Sequence, residues 1–329
     1  MPEIMTMGEL LIDFIPAEKD CKLKAVNSFK KAAGGAPANV AAALGKIGED
    51  VGFIGKIGSD AFGDFLEETL IDHGVDLKYL LRTEKAMTTL AFVSLTREGE
   101  RDFAFYRKPG ADMLLDKSEL AADCFADTEI FHFGTISLTD QPVRAATYYL
   151  LELAAADGVF VSFDPNIRLP LWDNDFIRLE KEFKKALAYV NLLKLNLDEL
   201  ALLTGVDLSE ENLKESNQAL ENKVFKAAQK LMTQGPNQII VTAGKYGSFY
   251  CGKEEVIYQP AEKVKAVDTT GAGDAFMAGI ISEIVREIKA DNLAEIDWLN
   301  TLAAANKFGA ITSSRYGAIP ALPEREEIL

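Results

Sequence analysis

Histidine and cysteine are scarce in this chain of 329 residues. The only two histidines are His73 and His132, which disfavours a histidine-based catalytic triad or a metal site with several histidine ligands. Cys21, Cys124 and Cys251 lie far apart and form no CxxC pair, so they give no signal for zinc or a disulfide and fit a reducing compartment. His132 lies in "EIFHFG", where we expect a buried strand, and His73 lies at the predicted end of a helix.

Positive charge is also in short supply. Lysine and arginine number 35 against 51 acidic residues, which gives a formal charge of -16 and argues against a nucleic-acid-binding protein with a basic face. No apolar run reaches the ~18 residues that a membrane span needs. The beginning of the sequence, "MPEIMTMGELLIDF", lacks the basic segment and apolar core of a secretory signal. We therefore expect a cytoplasmic protein that binds neither nucleic acid nor membrane.

Strand-like and helix-like segments alternate along most of the chain. "EIMTMGELLIDF" predicts a strand, "APANVAAALGKIG" a helix with Pro37 in its first turn, and "VGFIGKIG" a further strand. Helical patterns also separate the predicted strands "EIFHFG", "VFVSFD", "NLLKLN" and "NQIIVTAG". These βα units predict a single α/β domain over residues 1–329, with a mainly parallel central sheet between layers of helices. Ligands of such sheets bind at the carboxyl ends of the strands.

Residues 87–112, "MTTLAFVSLTREGERDFAFYRKPGAD", depart from this alternation. Two sets of residues alternate on each side of "REGE", which predicts two strands joined by a turn. The sets are Leu90, Phe92 and Ser94 against Ala91, Val93 and Leu95, and Phe103 and Phe105 against Ala104 and Tyr106. Together with segment 13–33, the pair predicts a small separate sheet that projects from the core. Such a sheet above a ligand cleft would act as a lid.

The stretch "DTTGAGDAF", residues 268–276, is the strongest local signal. The apolar stripe in the following "MAGIISEIVREI" predicts a helix that begins at this turn. A helix N-terminus offers unpaired N–H groups and partial positive charge, and Gly271 and Gly273 let a ligand approach the backbone closely. The amides of Ala272, Gly273 and Asp274 therefore predict a cradle for an anion.

A carboxylate inside an anion cradle repels the ligand beside it, so Asp274 needs an explanation. It is explained if Asp274 takes the proton of a hydroxyl that attacks a bound phosphoryl group. A first-turn acid that only complements the helix dipole is the open alternative. The dinucleotide fingerprint GxGxxG fails because Phe276 stands at its third glycine, and the Walker pattern is absent. Neither a nicotinamide dehydrogenase nor a P-loop kinase is indicated.

Whole motifs of the chain resemble the PfkB, or ribokinase-like, family of carbohydrate kinases. "DTTGAGDAF" matches the family's C-terminal signature, and "GGAPANVAAALGKIG" (34–48) matches its N-terminal signature, roughly 230 residues earlier. "GELLIDF", "FYRKPGADML", "FDPNIRLPLW" and "GAIPALP" resemble the fructokinase branch. The resemblance extends from about residue 4 to residue 323. It implies the ribokinase-like three-layer α/β fold, a mainly parallel central sheet flanked by helices, with a small β-sheet lid formed by about 13–33 and 87–112.

The resemblance also implies roles for the residues that carry phosphoryl transfer. Asp274 would be the base that deprotonates the sugar hydroxyl, and Gly271, Ala272 and Gly273 would form the anion hole. Arg168, in "DPNIR", would lie near the phosphates and neutralise charge in the transition state.

The sugar site implied by the resemblance contains Asp13, Gly34, Gly35 and Asn39. A carboxylate, a carboxamide and backbone amides suit a polyol, whose hydroxyls both donate and accept hydrogen bonds. Without the resemblance, a strand-end turn is the favoured explanation of Asp13 and a helix cap that of Asn39. Arg107, in "FYRKPG", either reaches the sugar or covers the rim of the lid.

The nucleotide site implied by the resemblance begins with "NLDE", in which Asn196 and Glu199 match an NxxE element that positions Mg²⁺ and phosphate through water. A solvated helix start is the alternative for Glu199. The other residues expected at the nucleotide are Thr242, Gly244, Gly247 and Asn306.

A monovalent cation, K⁺, is a further expectation from the resemblance. The loop 312–321, "TSSRYGAIPA", resembles a family loop that encloses such an ion together with Asp268 and Thr270. The ligands would be mostly backbone carbonyls, and from this loop the site would take Thr312, Arg315 and Gly317. Ser313, Ser314 and Tyr316 depart from some relatives.

The resemblance therefore predicts an ATP-dependent sugar kinase that uses Mg²⁺, with fructose as the expected substrate and fructose 6-phosphate as the product. A 2-keto-3-deoxygluconate kinase or a ribokinase is the alternative within the family, and a non-catalytic sugar-sensing protein is the alternative from another class. A homodimer through the lid is expected, because the aromatic-rich hairpin has apolar surface to cover, although the same side chains could pack onto the core.

Overall fold

The structure is a computed structural model that describes residues 1–16, 18, 22–95, 101–208, 217–292 and 295–328. The strands within these ranges are β1 Ile4–Met7, β2 Leu11–Pro16, β3 Phe29–Gly34, β4 Val51–Gly58, β5 Asp76–Thr83, β6 Leu90–Leu95, β7 Arg101–Tyr106, β8 Ile130–Phe133, β9 Phe160–Phe163, β10 Leu192–Asn196, β11 Gln238–Thr242, β12 Ser248–Cys251 and β13 Val256–Gln259. The α-helices are α1 Ala36–Lys46, α2 Ala61–Asp72, α3 Val143–Asp157, α4 Phe176–Leu187, α5 Leu197–Thr204, α6 Asn217–Met232, α7 Ala272–Lys289, α8 Trp298–Ser313 and α9 Arg325–Ile328.

The larger sheet has the strand order β13-β12-β11-β10-β9-β8-β1-β4-β5. Neighbours from β11 to β5 pair in parallel, and β12 and β13 add an antiparallel edge. Every residue of β1, β4, β8 and β9 is buried, as expected for parallel strands with helices on both faces. The predicted α/β architecture with a mainly parallel sheet is confirmed.

Two apolar cores lie on the two faces of this sheet. Successive residues such as Leu192 and Leu193 belong to different cores, because side chains alternate between the faces of a strand. Helices α3 to α6 pack on one face, and α1, α2, α7 and α8 pack on the other. The N-termini of α1 and α7 therefore meet on the same side of the sheet.

The smaller sheet has the order β3-β2-β6-β7 and contains the two strands predicted within 87–112. Their predicted turn, "REGE", lies outside the described residues, as do residues 17 and 19–21 of the first lid segment. "EIMTMGELLIDF" was predicted as one strand, but it forms β1 in the larger sheet and β2 in the smaller one. The connection Gly8–Leu10 between them therefore lies where the two sheets meet.

Strands β5, β12 and β13 were not predicted from the sequence. β12 is fixed to α8 by the stacked rings of Tyr250 and Trp298, whose centroids are 4.0 Å apart. The two histidines lie as expected: His132 is buried in β8, and His73 ends α2 with its ring Nδ1 2.7 Å from the carbonyl oxygen of Thr69. No helix within the described ranges is both long and apolar enough to cross a membrane.

Candidate active site

A cavity of about 360 Å³ opens where the carboxyl ends of the parallel strands face the smaller sheet. This is the edge at which ligands of such sheets bind. The predicted site residues that line it are Asp13, Gly35, Asn39, Arg168, Asn196, Glu199, Thr242, Gly244, Asp268, Thr270, Gly271, Gly273 and Asp274. Residues separated by most of the chain thus share one cavity.

Asp274 lies in the first turn of α7 and is 7% exposed. The helix follows Gly271, whose φ of 76° is readily adopted only by glycine, and a Cβ there would press against Ala318. The Asp274 carboxylate accepts hydrogen bonds from two carboxamides, Asn39 Nδ2 at 2.7 Å and Asn166 Nδ2 at 3.3 Å. Helix α1 and the loop after β9 therefore fix the orientation of this carboxylate.

Burial raises the pKa of Asp274 to about 6, and the nearby Asp164 carboxylate acts in the same direction. The hydrogen bond from Asn39 and the charges of Lys194 and Arg168 oppose this rise. A carboxylate with a pKa near the working pH can accept a proton and release it again, which is what a general base requires. The geometry favours this role over a simple complement to the helix dipole, because the side chain is buried and faces the cavity.

The turn predicted to cradle an anion forms the N-terminus of α7. Gly271 and Gly273 line the cavity, while the amide of Ala272 donates to the carbonyl oxygen of Thr269 at 3.3 Å. A Cβ on Gly273 would lie 3.1 Å from the ammonium of Lys194. A buried positive charge therefore lies directly beside the turn that was predicted to hold an anion.

Lys194 is a site residue that sequence reasoning missed. It lies in β10, and its ammonium pairs with Asp164 Oδ2 at 2.7 Å, with both side chains almost fully buried. Burial alone would lower the pKa of Lys194, but the carboxylates of Asp164, Glu199 and Asp274 raise it above its usual value. The signal available in the sequence was a lysine inside the apolar run "NLLKLN", where a charge must have a buried partner.

Asn196 and Glu199 form a capping box at the start of α5. Asn196 Oδ1 accepts from the Glu199 amide at 2.8 Å, and Glu199 Oε2 accepts from the Asn196 amide at 3.0 Å. Glu199 Oε1 accepts from the amide of Ile167 at 2.8 Å, next to Arg168. Burial and the charge of Asp164 raise the pKa of Glu199. Both Glu199 oxygens are thus bound to backbone amides. The neighbouring Arg168 donates from Nη1 to the Ile167 carbonyl oxygen at 3.0 Å.

The residues predicted to bind a sugar, Asp13, Gly35 and Asn39, all line the cavity. Gly34 lies behind Asp13, and a Cβ at Gly34 would collide with the Asp13 carboxylate. Asn39 Oδ1 is buried and has no hydrogen-bond partner among the described residues. A buried amide oxygen of this kind is ready to accept a hydrogen bond from a ligand hydroxyl.

Arg107 lies outside the cavity lining and is 4% exposed. Its Nε pairs with Asp112 at 2.7 Å, and its two terminal nitrogens donate to Thr139 Oγ1 at 2.9 Å and to the Ile136 carbonyl oxygen at 3.2 Å. The guanidinium thus joins the end of β7 to the core. Its side chain is therefore held away from the cavity in which the sugar was predicted to bind.

The residues predicted for the nucleotide follow β11 and lie on α8. Thr242 and Gly244 line the cavity, and Thr242 Oγ1 donates to the Leu195 carbonyl oxygen at 3.4 Å. Gly247 packs against the chain after β13 and does not line the cavity. Asn306 Nδ2 donates to the carbonyl oxygens of Gln259 at 3.4 Å and Pro260 at 3.3 Å.

The two segments predicted to enclose a cation lie side by side. Asp268 accepts from the Thr270 amide at 3.0 Å and, through its other oxygen, from the Gly317 amide at 3.0 Å. The Asp268 amide donates to the Ser313 carbonyl oxygen at 3.2 Å. Thr312 is buried, with its hydroxyl bonded to the Phe308 carbonyl oxygen. The guanidinium of Arg315 forms an ion pair with Glu327 and does not line the cavity.

A buried carboxylate held by two carboxamides lies beside a helix N-terminus and a buried ammonium. This arrangement suits phosphoryl transfer to a hydroxyl group. The model of the pfkB family of carbohydrate kinases matches residues 1–325. The chain belongs to this family, and it is therefore a sugar phosphotransferase by class.

Individual relatives cover almost the whole chain. Probable fructokinase-6, chloroplastic, of Arabidopsis thaliana is 40% identical over 330 residues, which is 99% of this chain and 81% of the relative. Fructokinase-1 of Zea mays is 37% identical and covers 99% of this chain and 96% of its own. The crystal structure of a fructokinase with bound ATP from Xylella fastidiosa has a TM-score of 0.85 at 31% identity, covering 100% of this chain and 97% of that one. The ribokinase-like fold is confirmed.

Proposed function

We propose that this protein is an ATP-dependent fructokinase that converts D-fructose to D-fructose 6-phosphate. The observation that carries the proposal is the buried Asp274 carboxylate, held by Asn39 and Asn166 beside the α7 N-terminus in one cavity. The choice of fructose and ATP is supported by the plant fructokinases and by the ATP-bound bacterial fructokinase that the chain resembles.

The reaction is a single displacement at phosphorus. The sugar hydroxyl oxygen forms a bond to the γ-phosphorus of ATP, and the bond from that phosphorus to the β–γ bridging oxygen breaks. Asp274 takes the hydroxyl proton, and ADP carries away the bonding pair. The rise of the Asp274 pKa to about 6 supports this assignment, because the carboxylate is ionised at neutral pH and remains basic enough to accept the proton.

The transferred phosphoryl group lies, in this proposal, between the turn Gly271–Gly273 and two cations. The N-terminus of α7 supplies amides and partial positive charge. Lys194, beside Gly273, and Arg168, in the cavity lining, supply the positive charge that the transition state needs. Ala272 contributes through its place in the turn, and its amide must leave the Thr269 oxygen if it is to bind the phosphate.

The sugar is held by Asp13, Gly35 and Asn39, and Gly34 leaves room for the Asp13 carboxylate. The unpartnered Oδ1 of Asn39 accepts from a sugar hydroxyl while its Nδ2 keeps Asp274 in place. Arg107 supports this end of the cavity from behind, through Asp112 and Thr139.

ATP extends along the carboxyl ends of β10 and β11, past Asn196, Thr242 and Gly244, with Gly247 and Asn306 shaping the nucleotide end. Mg²⁺, when bound with ATP, neutralises phosphate charge and keeps most of its water shell. The donor set fits this form of binding, because Glu199 lines the cavity and its carboxylate, already held by two amides, could accept a further hydrogen bond from a water of the ion's shell. The described residues also contain no group of three acidic, histidine or cysteine side chains that could hold a metal ion directly.

K⁺ is proposed for the turn made by Asp268, Thr270 and the loop with Thr312, Arg315 and Gly317. The hydrogen bonds that join these segments support the proposal, because they hold the Asp268–Thr270 turn against the loop that contains Ser313 and Gly317. When bound, the ion would stabilise the start of α7 and thus the anion hole. Arg315 takes part through its backbone, since its side chain pairs with Glu327.

The smaller sheet is proposed to be the lid over the sugar and the contact of a homodimer. Val93 and Phe105 place it in the cavity wall. On another part of the sheet the rings of Phe14 and Phe92 stack at 4.7 Å, next to Tyr106, which is 67% exposed. Sedimentation of the wild type and of Tyr106→Glu tests the dimer.

The cytoplasmic location stays a prediction from the sequence, and one relative is named chloroplastic.

The experiment that tests the function is a coupled ADP-release assay with ATP and Mg²⁺. Fructose, ribose, adenosine and 2-keto-3-deoxygluconate are compared, each with and without K⁺. Turnover mainly with fructose is expected, and a K⁺ effect on kcat would support the cation site. Turnover mainly with another sugar of the panel would overturn fructose and keep the phosphoryl-transfer chemistry. No turnover with any of them, or with phosphosugars, would overturn the kinase proposal.

A further inference from the structure

Glu9 is a buried carboxylate at the sugar end of the cavity to which the reaction above gives no role. It lies in the connection between β1 and β2, is 3% exposed, and lines the cavity next to Ala36 and Asn39. A carboxylate so deeply buried must be compensated by neighbouring charges or hydrogen bonds. The identity of those partners indicates what Glu9 does.

The charged groups that act on Glu9, Arg107 and Asp112, already pair with each other. Arg107 Nε bonds to Asp112 Oδ2, and Asp112 Oδ1 accepts from the Thr89 hydroxyl at 2.5 Å. The terminal guanidinium nitrogens bond to Thr139 and to a main-chain carbonyl oxygen. The group of Glu9, Arg107 and Asp112 therefore has one carboxylate in excess when all three are ionised.

Glu9 instead binds the start of helix α1. Its Oε1 accepts from the Ala36 amide at 2.8 Å. Ala36 is the first residue of the helix, and the preceding Gly35 has no side chain that could cap it. Glu9 thus does, from another part of the chain, what an N-cap side chain does locally, and the helix dipole favours its negative charge there.

The main chain of Glu9 fixes the same turn. Gly35 has a φ of 112°, and a Cβ there would collide with the Glu9 carbonyl oxygen. One helical turn later, the Asn39 amide donates to the Gly35 carbonyl oxygen at 2.8 Å, and the Asn39 side chain holds Asp274. A continuous set of contacts therefore runs from Glu9 through the Gly35–Ala36 turn to Asn39 and the general base.

We propose that Glu9 is a positioning residue for the sugar site, whose carboxyl group holds the Gly35–Ala36 turn and helix α1 so that Asn39 meets both sugar and Asp274. This rests on the proposed function, since it assumes that a sugar occupies the Asp13–Asn39 end of the cavity.

The charge of Glu9 gives this role a pH dependence. Burial raises the pKa of Glu9 to about 7, and the Ala36 amide opposes the rise. Of the charged groups that face it, Asp112 raises this pKa and Arg107 lowers it. An ionised carboxylate accepts a stronger hydrogen bond than a protonated one, so the turn is held more firmly above pH 7. The KM for sugar should therefore fall as the pH rises through about 7.

The experiment compares the wild type with Glu9→Gln and Glu9→Leu between pH 5.5 and 8.5. Gln keeps an oxygen that can accept from Ala36 but cannot ionise, whereas Leu removes the acceptor. Glu182→Gln is the matched control, because Glu182 is a largely buried carboxylate that accepts from the Tyr148 hydroxyl outside the cavity. The readouts are kcat, the KM for sugar, the KM for ATP, and sugar affinity by calorimetry without nucleotide.

Glu9→Leu should raise the KM for sugar about tenfold or more, with the KM for ATP within about twofold of the wild type. The KM for sugar of Glu9→Gln should stay within about threefold of the wild-type value at pH 6. It should not show the fall near pH 7 that is expected for the wild type. The ratio of the KM for sugar of the wild type to that of Glu9→Gln isolates the contribution of Glu9 at each pH, because Asp274 titrates in both proteins. Glu182→Gln should reproduce the wild-type profile.

An unchanged KM for sugar in Glu9→Leu would overturn the positioning role. If Glu9→Leu does not fold, a Glu9→Gln profile identical to that of the wild type would overturn it instead. Failure of the proposed function looks different, because then the wild type itself neither binds nor phosphorylates any sugar of the panel.

Discussion

Asn39 donates a hydrogen bond of 2.7 Å to the carboxylate of Asp274, a residue 235 positions further along the chain. This bond joins the N-terminal signature on α1 to the C-terminal signature on α7. Because the other amide atom of Asn39, Oδ1, faces no protein partner among the described residues, one side chain can hold both the base and the substrate. In the proposed reaction, this would couple binding of the sugar to removal of its proton.

Replacing Asp274 by Asn should remove the base and preserve the shape of the site. We expect kcat to fall by ~10²–10⁴-fold, as is typical for loss of a general base. ATP affinity, measured by calorimetry, should stay close to the wild-type value. Asp297→Asn changes a helix N-cap acid of α8 that does not line the cavity and serves as the control. Near-normal turnover in Asp274→Asn would exclude Asp274 as the base.

The same substitution should make the protein more stable at neutral pH. The folded state raises the pKa of Asp274 from 3.8 to about 6, so it binds this proton more tightly than the unfolded chain does. The free energy of unfolding therefore falls as the pH rises from about 4 to about 6, by up to about 3 kcal/mol. Asn cannot ionise and avoids this loss. In urea unfolding at pH 7.5, the free energy of unfolding should be larger for Asp274→Asn than for the wild type. The difference between the two proteins should shrink at pH 4.5. A difference that does not change with pH would contradict the raised pKa of Asp274.

The predicted parts of the site are those whose signals are local. The turn at Gly271–Gly273 and the first turn of α7 follow from glycine chemistry and helix periodicity, and the N-terminal signature placed Asn39 on α1. The division of "EIMTMGELLIDF" between two sheets was missed, because strand propensity extends through Gly8–Leu10 and only tertiary packing separates β1 from β2.

The missed site residues owe their roles to contacts between distant segments. Lys194 was not recognised because its partner Asp164 directly follows the neighbouring strand β9, 30 positions away. Asn166 reaches Asp274 across 108 positions. Neither pairing can be derived from periodicity, although a lysine within an apolar strand was a usable sign. For Arg107 the sequence left a sugar contact and a position at the rim of the lid open, and its partners Asp112 and Thr139 could not be read from the motif.

Gly34→Ala tests the sugar site without touching a polar group. The new Cβ would collide with Asp13 Oδ2, and the side chain can relieve this only by moving the carboxylate. We expect the KM for fructose to rise about tenfold, with the KM for ATP nearly unchanged. Asp13→Ala, which removes the carboxylate, should give an effect at least as large. If Gly34→Ala keeps a normal KM for fructose, the Asp13 carboxylate does not bind the sugar.

Lys194→Met separates the structural role of the Asp164–Lys194 pair from its role in phosphoryl transfer. Removing the ammonium leaves Asp164 buried and unpaired, which should destabilise the protein by about 3–5 kcal/mol. Asp164→Asn in the same chain removes the unpaired charge, so the double variant should regain much of that stability. Its kcat should nevertheless stay at least about 100-fold below the wild-type value, because no ammonium lies beside Gly273 to neutralise the transferring phosphoryl group. Asp164→Asn alone, which keeps Lys194, is the control, and unfolding curves together with kcat for all four proteins provide the test. If kcat recovers along with stability in the double variant, Lys194 serves only to pair with Asp164.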